Sequence, residues 1–232
     1  KDSHKELIEN YFYADQNKLI AEDLTFTSDQ YSNYDEMKDK FNPSSLKLML
    51  ENSHEFYQTI LSDNILDWVE AYMGFKPILI ESYVRRNFSA KYKVMNHFWH
   101  RDTNHDEHLL KAFFFFTDCS EENGPHWYIS GSHKNNILKG KKYYDDGDVE
   151  DYPNYDKKLI KSIVKKGTTI IEDTRGLHKA GMPTDGYRDL GYAVFLPKTL
   201  KDQSGYYKIS KDVFQSLSPR AKSYIPTRNI AQ

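Results

Sequence analysis

Five short apolar runs between residues 77 and 196 limit the folds that the chain can adopt. Each run is rich in β-branched and aromatic residues, and turn-forming stretches such as "ENGP" at 122–125 separate them. Runs of this length and composition, bounded by turn signals, are typical of β-strands. We therefore predict strands at 77–84, 111–118, 126–130, 167–173 and 189–196.

A different periodicity precedes these strands. Between Pro43 and Gly74 apolar residues recur at near-helical spacing, and Ser62 or Asp63 offers a cap that divides the stretch into two segments. This pattern predicts helices over residues 43–73. Helices followed by many strands favour a mainly β, α+β fold.

The order of these elements also suggests the domain organisation. Because no Pro/Gly/Ser-rich linker divides the chain, we predict a single domain over residues 1–232. Its N-terminal part, about 1–75, would be helical and would pack on a β-barrel at about 77–200. The pattern contains no internal repeat.

Composition excludes several classes of partner. The formal net charge is −2, so neither nucleic acid nor an anionic membrane is a predicted partner. No stretch approaches the roughly 20 apolar residues of a membrane span, and "KDSHKELIEN" at the start lacks the apolar core of a signal peptide. The single Cys119 cannot form an internal disulfide. We expect a cytoplasmic protein that acts on a small molecule, and its oligomeric state stays open.

The pentapeptide "FWHRD" at 98–102 holds two side chains that bind metals. Alternate side chains of a β-strand share a face, so His100 and Asp102 would point to the same side. A His-x-Asp spacing arises by chance about once in a chain of this composition, so it means little without partners.

The segment at 170–195, "IIEDTRGLHKAGMPTDGYRDLGYAVF", supplies possible partners. His178 ends one predicted strand and Arg188 starts the next, and a turn at 181–186 predicts a hairpin that brings them together. Two neutral imidazoles and one carboxylate form the metal-binding set of non-haem Fe(II) oxygenases, which leaves positions open for a 2-oxo acid and O2. The planar guanidinium of Arg188 suits the distal carboxylate of 2-oxoglutarate, since it offers two parallel hydrogen bonds.

Four blocks of sequence together resemble the phytanoyl-CoA dioxygenase family of Fe(II)/2-oxoglutarate oxygenases. They are the His100-x-Asp102 pair, "TDCSEENGPHWYISGSHK" at 117–134, "EDTRGLHKAG" at 172–181, and Arg188, and they span about residues 77–196. The resemblance implies a double-stranded β-helix, a cupin-like jelly-roll barrel, with iron held by His100, Asp102 and His178. It also implies that 2-oxoglutarate and O2 yield succinate and CO2 while a small or carrier-bound organic molecule is hydroxylated.

Other polar residues are candidates for contact with cofactor or substrate. Lys111 would line the cavity near 2-oxoglutarate if its strand includes it, and would be solvated if the strand begins later. His97, three residues before His100, either bonds the C1 carboxylate of 2-oxoglutarate or lies at a half-exposed edge. The candidates for contact with substrate are Arg101, His105, Trp127 and Arg175, and Arg85 and Arg86 are further cations suited to an anionic substrate. Arg101 and Arg175 have an equal alternative, which is to tie loops to Asp and Glu side chains.

Two points have more than one interpretation. The charged stretch at about 135–166 is either a solvated loop with a short helix near 156–164 or a lid over the site, since its composition predicts no core of its own. The three ligands would also serve a Zn(II) hydrolase, and a barrel without turnover would bind or sense its ligand. The hydrolase interpretation gives Arg188 no role. The presence of all three metal-binding residues argues against a barrel that has lost catalysis.

Overall fold

The computed structural model describes residues 20–21, 24–25, 45–48, 50–90, 93, 95–102, 108–198 and 207–232. Within these ranges the strands form two antiparallel sheets. The strands are β1 (Ile20–Ala21), β2 (Leu24–Thr25), β3 (Ser45–Leu48), β4 (Ile78–Phe88), β5 (Leu110–Phe115), β6 (His126–Ile129), β7 (Leu159–Lys161), β8 (Thr169–Glu172), β9 (His178–Ala180) and β10 (Tyr187–Leu196). The helices are α1 (His54–Ile60), α2 (Asp63–Met73), α3 (Asp146–Glu150), α4 (Tyr155–Lys158), α5 (Lys211–Ser216) and α6 (Pro219–Lys222).

The larger sheet has seven strands in the order β2-β1-β3-β4-β10-β5-β8, and the smaller has three in the order β7-β6-β9. All five strands predicted from the apolar runs are confirmed, as β4, β5, β6, β8 and β10, with their ends shifted by a few residues. The fold is therefore mainly β, with antiparallel sheets and few helices.

The helices cover one face of the seven-stranded sheet, which we call the outer face. Ser53 caps α1 by accepting a hydrogen bond from the backbone of Phe56 at 3.3 Å, and Gly74 ends α2 in the left-handed region at φ 73°. The buried side of these helices packs with C-terminal residues on alternate residues of β4, β5 and β10. This outer-face core includes Ile60, Leu66, Val69, Val84, Ala112, Phe114, Ala193, Phe195, Val213 and Tyr224.

Two predictions about local structure are wrong. Residues Ser45–Leu48 form strand β3, which pairs with β4, and do not begin a helix. The predicted hairpin does not form, because β9 pairs with β6 in the small sheet whereas β10 pairs with β4 and β5 in the large one. In both cases pairing with strands distant in sequence overrides the local pattern.

The charged stretch at 135–166 is packed more closely than its composition predicts. It contains α3, α4 and β7, with α4 much shorter than the helix expected near 156–164. Tyr144, Val149 and Tyr152 are buried in a cluster with Trp99 and Leu177. The stretch therefore contributes to a core that it shares with other segments, because a few apolar residues among the charges suffice to anchor it.

Candidate active site

Backbone pairing brings His100 and His178 side by side. The backbone N–H of His100 donates to the carbonyl of His178 at 3.0 Å, and that of His178 donates to the carbonyl of His100 at 3.0 Å. Asp102 is tied to the same region, since its N–H donates to the carbonyl of Thr174 at 3.0 Å. The two imidazole rings lie with their centroids 4.3 Å apart.

Hydrogen bonds fix which ring nitrogen of each histidine faces the aspartate. Nδ1 of His100 lies 2.8 Å from the carbonyl of Phe98, and Nδ1 of His178 lies 2.9 Å from that of Gly176. Because a carbonyl only accepts, each Nδ1 carries the proton and each Nε2 keeps its lone pair. The Nε2 atoms lie 3.8 Å (His100) and 3.5 Å (His178) from oxygens of Asp102. One ligand atom from each of the three residues lies within 4.8 Å of the others.

The charges around these residues favour the protonation states that metal binding requires. Burial lowers the pKa of His100 and His178, and the pKa of His178 falls well below its ordinary value. Burial would raise the pKa of Asp102, but Lys111 and the two imidazoles together lower it. Two neutral imidazoles and one carboxylate therefore face one another at neutral pH.

A cavity of about 230 Å³ opens beside this triad. Lys111 lines it, with Nζ 2.7 Å from Oδ2 of Asp102, which agrees with the prediction that this lysine faces the cavity. Burial alone would lower the pKa of Lys111, whereas the negative charges of Asp102 and Glu81 raise it. On the side of the large sheet, the other residues that form the cavity wall are Lys47, Glu81, Tyr83, Arg85, Phe113 and Tyr192.

Arg188 lies behind this wall and is completely buried, with 0% of its surface exposed. Its Nη2 donates to Oδ1 of Asn87 at 3.2 Å, whereas Nε and Nη1 have no hydrogen-bonding partner among the described residues. A buried cation without an anion is unfavourable. The unpartnered N–H groups therefore fit a carboxylate ligand.

The structure places the remaining predicted site residues elsewhere. Arg101 donates to the carbonyls of Ser132 and Arg175 at 2.8 and 2.6 Å, so that it ties loops together through backbone carbonyls and not through Asp or Glu side chains. Arg175 pairs with Asp173, with Nη2 and Oδ2 2.5 Å apart. These contacts occupy both guanidinium groups within the protein.

The positions of His97 and Trp127 differ with respect to the cavity. His97 is buried in a 3-10 helix, and its neighbour Asn96 lines the cavity. Trp127 faces away from the cavity, where its ring packs against Trp99, because alternate residues of β6 face opposite sides. His105 lies outside the described residues.

Sequence reasoning assigned no role to several residues that line the cavity, among them Lys47, Glu81, Tyr83, His126 and Tyr192. Tyr83 and Tyr192 stack with ring centroids 4.6 Å apart. Strand alternation puts Tyr83 on the same face as Arg85, so the sequence would have identified it only if Arg85, and not Arg86, were known to face the cavity. His126 faces the cavity and its Nε2 lies 3.0 Å from both carboxylate oxygens of Glu172.

Comparison with known proteins identifies a matching family and solved structures of similar fold. The sequence profile of the family described as Phytanoyl-CoA dioxygenase (PhyH) matches residues 17–189. No curated protein matches the chain. None of the helices in the described residues is long and apolar enough to cross a membrane.

Solved structures with a similar fold share few identical residues with this chain. SnoN, a non-haem alpha ketoglutarate dependent epimerase from nogalamycin biosynthesis, is 17% identical with a TM-score of 0.53; the match covers 67% of this chain and 62% of SnoN. HygX from Streptomyces hygroscopicus, solved with nickel, 2-oxoglutarate and hygromycin B, is 17% identical over 90% of this chain and 96% of HygX, with a TM-score of 0.50. SnoK, a carbocyclase from nogalamycin biosynthesis, is 17% identical over 77% of this chain and 72% of SnoK, with a TM-score of 0.52.

Proposed function

Because the chain belongs to the phytanoyl-CoA dioxygenase family, whose members use Fe(II) and 2-oxoglutarate, we propose that it is an Fe(II)- and 2-oxoglutarate-dependent dioxygenase. Its proposed reaction is hydroxylation of a small or carrier-bound organic molecule, with O2 as co-substrate and release of succinate and CO2. The observation that carries this proposal is the convergence of His100, Asp102 and His178 at one end of the cavity.

The proposed metal ligands are Nε2 of His100, Nε2 of His178 and a carboxylate oxygen of Asp102. Two imidazoles and one carboxylate suit Fe(II) and leave further coordination positions open. When bound, iron and 2-oxoglutarate together supply the oxidising chemistry, and the protein supplies ligand geometry and exclusion of side reactions. The Nδ1–H bonds to the carbonyls of Phe98 and Gly176 hold both rings in the orientation that ligation needs.

Positive charges on the cavity side of the large sheet support binding of a dianion. The unpartnered N–H groups of Arg188 favour it as an anchor for the distal carboxylate of 2-oxoglutarate. Lys111 lies beside Asp102, where its ammonium would neutralise charge close to the C1 carboxylate. His97, buried next to Asn96, remains a further candidate for that end of the cofactor.

The finer features of the fold belong to the same proposal. The two antiparallel sheets are compatible with the double-stranded β-helix that the family implies. A single domain over 1–232 and a cytoplasmic location remain predictions from the sequence. A lid role for 135–166 also remains a prediction, although its buried residues mean that any closure would move a packed segment.

Succinate formation tests the proposal directly. Purified protein with Fe(II), 2-oxoglutarate and O2 is screened against a panel of small organic molecules, and succinate and product mass are measured together. The proposal expects a substrate that gains one oxygen atom for each succinate released, and loss of both signals in His100→Ala. Hydrolysis of a panel member with Zn(II), without 2-oxoglutarate, would favour the hydrolase alternative.

A further inference from the structure

The strand register arranges the cavity side of the large sheet in rows. Side chains paired directly across antiparallel strands share a face, and successive side chains on that face are roughly 7 Å apart along a strand. Lys111, which contacts Asp102, marks the row beside the triad. Four successive rows follow from the register: Val194 with Glu81 and Lys111, Tyr192 with Tyr83 and Phe113, Leu190 with Arg85 and Phe115, and Arg188 with Asn87.

Arg85 therefore lies between the triad and Arg188. Its side chain reaches back toward the triad, because Cζ is 5.3 Å from the ring centroid of Tyr83 and 5.1 Å from that of Tyr192. Its Nη2 also donates to the hydroxyl of Tyr83 at 3.3 Å. The guanidinium of Arg85 thus lies over the aromatic row and lines the same cavity as the triad.

A ligand that extends from the triad along these rows meets Arg85 before Arg188. Arg188 is completely buried one row farther, and two of its N–H groups have no partner among the described residues. A carboxylate has about four lone-pair sites, so one carboxylate can accept hydrogen bonds from both guanidinium groups. A shared anion would also offset the repulsion between these two buried cations.

We propose that Arg85 is a second anchor for the distal carboxylate of 2-oxoglutarate, acting together with Arg188. This inference rests on the proposed function and adds a specificity determinant to it. Two guanidinium groups make the site selective for 2-oxo acids that carry a carboxylate at the far end. A 2-oxo acid without that carboxylate would leave Nε and Nη1 of the buried Arg188 without an acceptor among the described residues.

The test compares two ligands that differ only in the distal group. The ligands are 2-oxoglutarate and 2-oxopentanoate, in which a methyl group replaces the distal carboxylate. Dissociation constants are measured without O2 from the visible charge-transfer band of the Fe(II) complex, in wild type, Arg85→Gln and Arg188→Gln. We expect the preference for 2-oxoglutarate to fall roughly 30-fold or more in each variant. The affinity for 2-oxopentanoate should change little.

Matched controls separate an effect on the carboxylate from a loss of structure. Iron stoichiometry and thermal unfolding are measured for each variant. The double variant Arg86→Gln/Asp189→Asn is the control, because it also removes a guanidinium from β4. That guanidinium lies on the outer face in a buried ion pair, with Nε of Arg86 2.7 Å from Oδ1 of Asp189. The preference of this double variant for 2-oxoglutarate should equal that of the wild type. If Arg85→Gln does not fold, Arg85→Lys serves instead, since a point charge loses the paired donors and should lower the preference by a smaller factor.

Two results would contradict different claims. In the first, Arg188→Gln has a lowered preference for 2-oxoglutarate but Arg85→Gln, or Arg85→Lys where that variant is used, keeps the wild-type preference. This result would remove Arg85 from the carboxylate site and leave the proposed function intact. Absence of the charge-transfer band in wild type with bound Fe(II) and 2-oxoglutarate would contradict the proposed function itself.

Discussion

The two faces of the seven-stranded sheet are built from neighbouring residues and differ in chemistry. The outer face carries apolar side chains such as Phe114 and Phe195, which helices cover. The cavity face carries Arg85, Lys111, Arg188 and the acidic Glu81, with the aromatic rings of Tyr83, Tyr192 and Phe113 among them. Buried charges add less to stability than apolar packing of similar volume. We infer that the outer face stabilises the fold, whereas the cavity face is organised to bind ligands.

The largest expected difference between the faces is in activity. His178→Ala should abolish succinate formation and lower iron occupancy, because two remaining protein ligands hold Fe(II) poorly. Its effect on apoprotein unfolding should be smaller than that of an outer-face phenylalanine. Iron analysis, a succinate assay and urea denaturation measure the three quantities. Full activity with one iron per chain would remove His178 from the metal site.

The second prediction compares two adjacent phenylalanines on β5. Phe114 packs in the outer-face core, whereas Phe113 faces the cavity, where its ring lies 4.9 Å from that of His126. Replacing either with alanine should lower the free energy of unfolding by about 3–5 kcal/mol. Only Phe113→Ala should also change the affinity of the folded protein for 2-oxoglutarate. A larger loss of that affinity in Phe114→Ala would show that the two faces are not separate in function.

The smallest expected effect comes from the ion pair between Asp146 and Lys179, neither of which lines the cavity, and this pair serves as a reference. Burial alone would raise the pKa of Asp146, but hydrogen bonds from Lys179, Lys93 and Trp99 lower it to about 2. Because this value lies below the ordinary 3.8, the carboxylate stabilises the fold above about pH 4. That contribution is lost as the pH falls from about 4 to about 2.

The matched variant for this reference is Asp146→Asn. Its unfolding free energy, measured by denaturant between pH 2 and 5, should depend less on pH than that of the wild type. Its affinity for 2-oxoglutarate at pH 7 should not change. Equal pH dependence in both proteins would show that Lys179, Lys93 and Trp99 do not lower the pKa of Asp146.

The sequence predicted those parts of the fold that local patterns determine. The apolar runs of β5 and β10 specify strands through composition alone. The His100-x-Asp102 spacing correctly predicted that both side chains meet, but the expected strand does not form, because isolated bridges at Trp99 and His100 hold this segment instead. The position of His178 beside His100 follows from a motif order that resembles a known family. Each of these predictions depends either on one short segment of the sequence or on several motifs that occur in a known order.

Features that depend on distant pairing were predicted poorly. The run at Ser45–Leu48 fits a helix or a strand equally well, and its pairing with β4 decides between them. The turn at 181–186 is a good hairpin signal, yet β9 and β10 separate into different sheets. Arg85 and Arg86 are adjacent, and the sequence does not say which of the two faces the cavity. Register with β10 places Arg85 there and pairs Arg86 with Asp189.

The measurement closest to the central claim is an anaerobic absorption titration of the wild-type protein with Fe(II) at saturating 2-oxoglutarate. The account predicts a weak visible charge-transfer band that grows until one iron is bound per chain, and the same titration of His100→Ala or His178→Ala should give no such band. An iron-loaded wild type without the band, or an unchanged band in both histidine variants, would contradict the assignment of His100, Asp102 and His178 as the iron site.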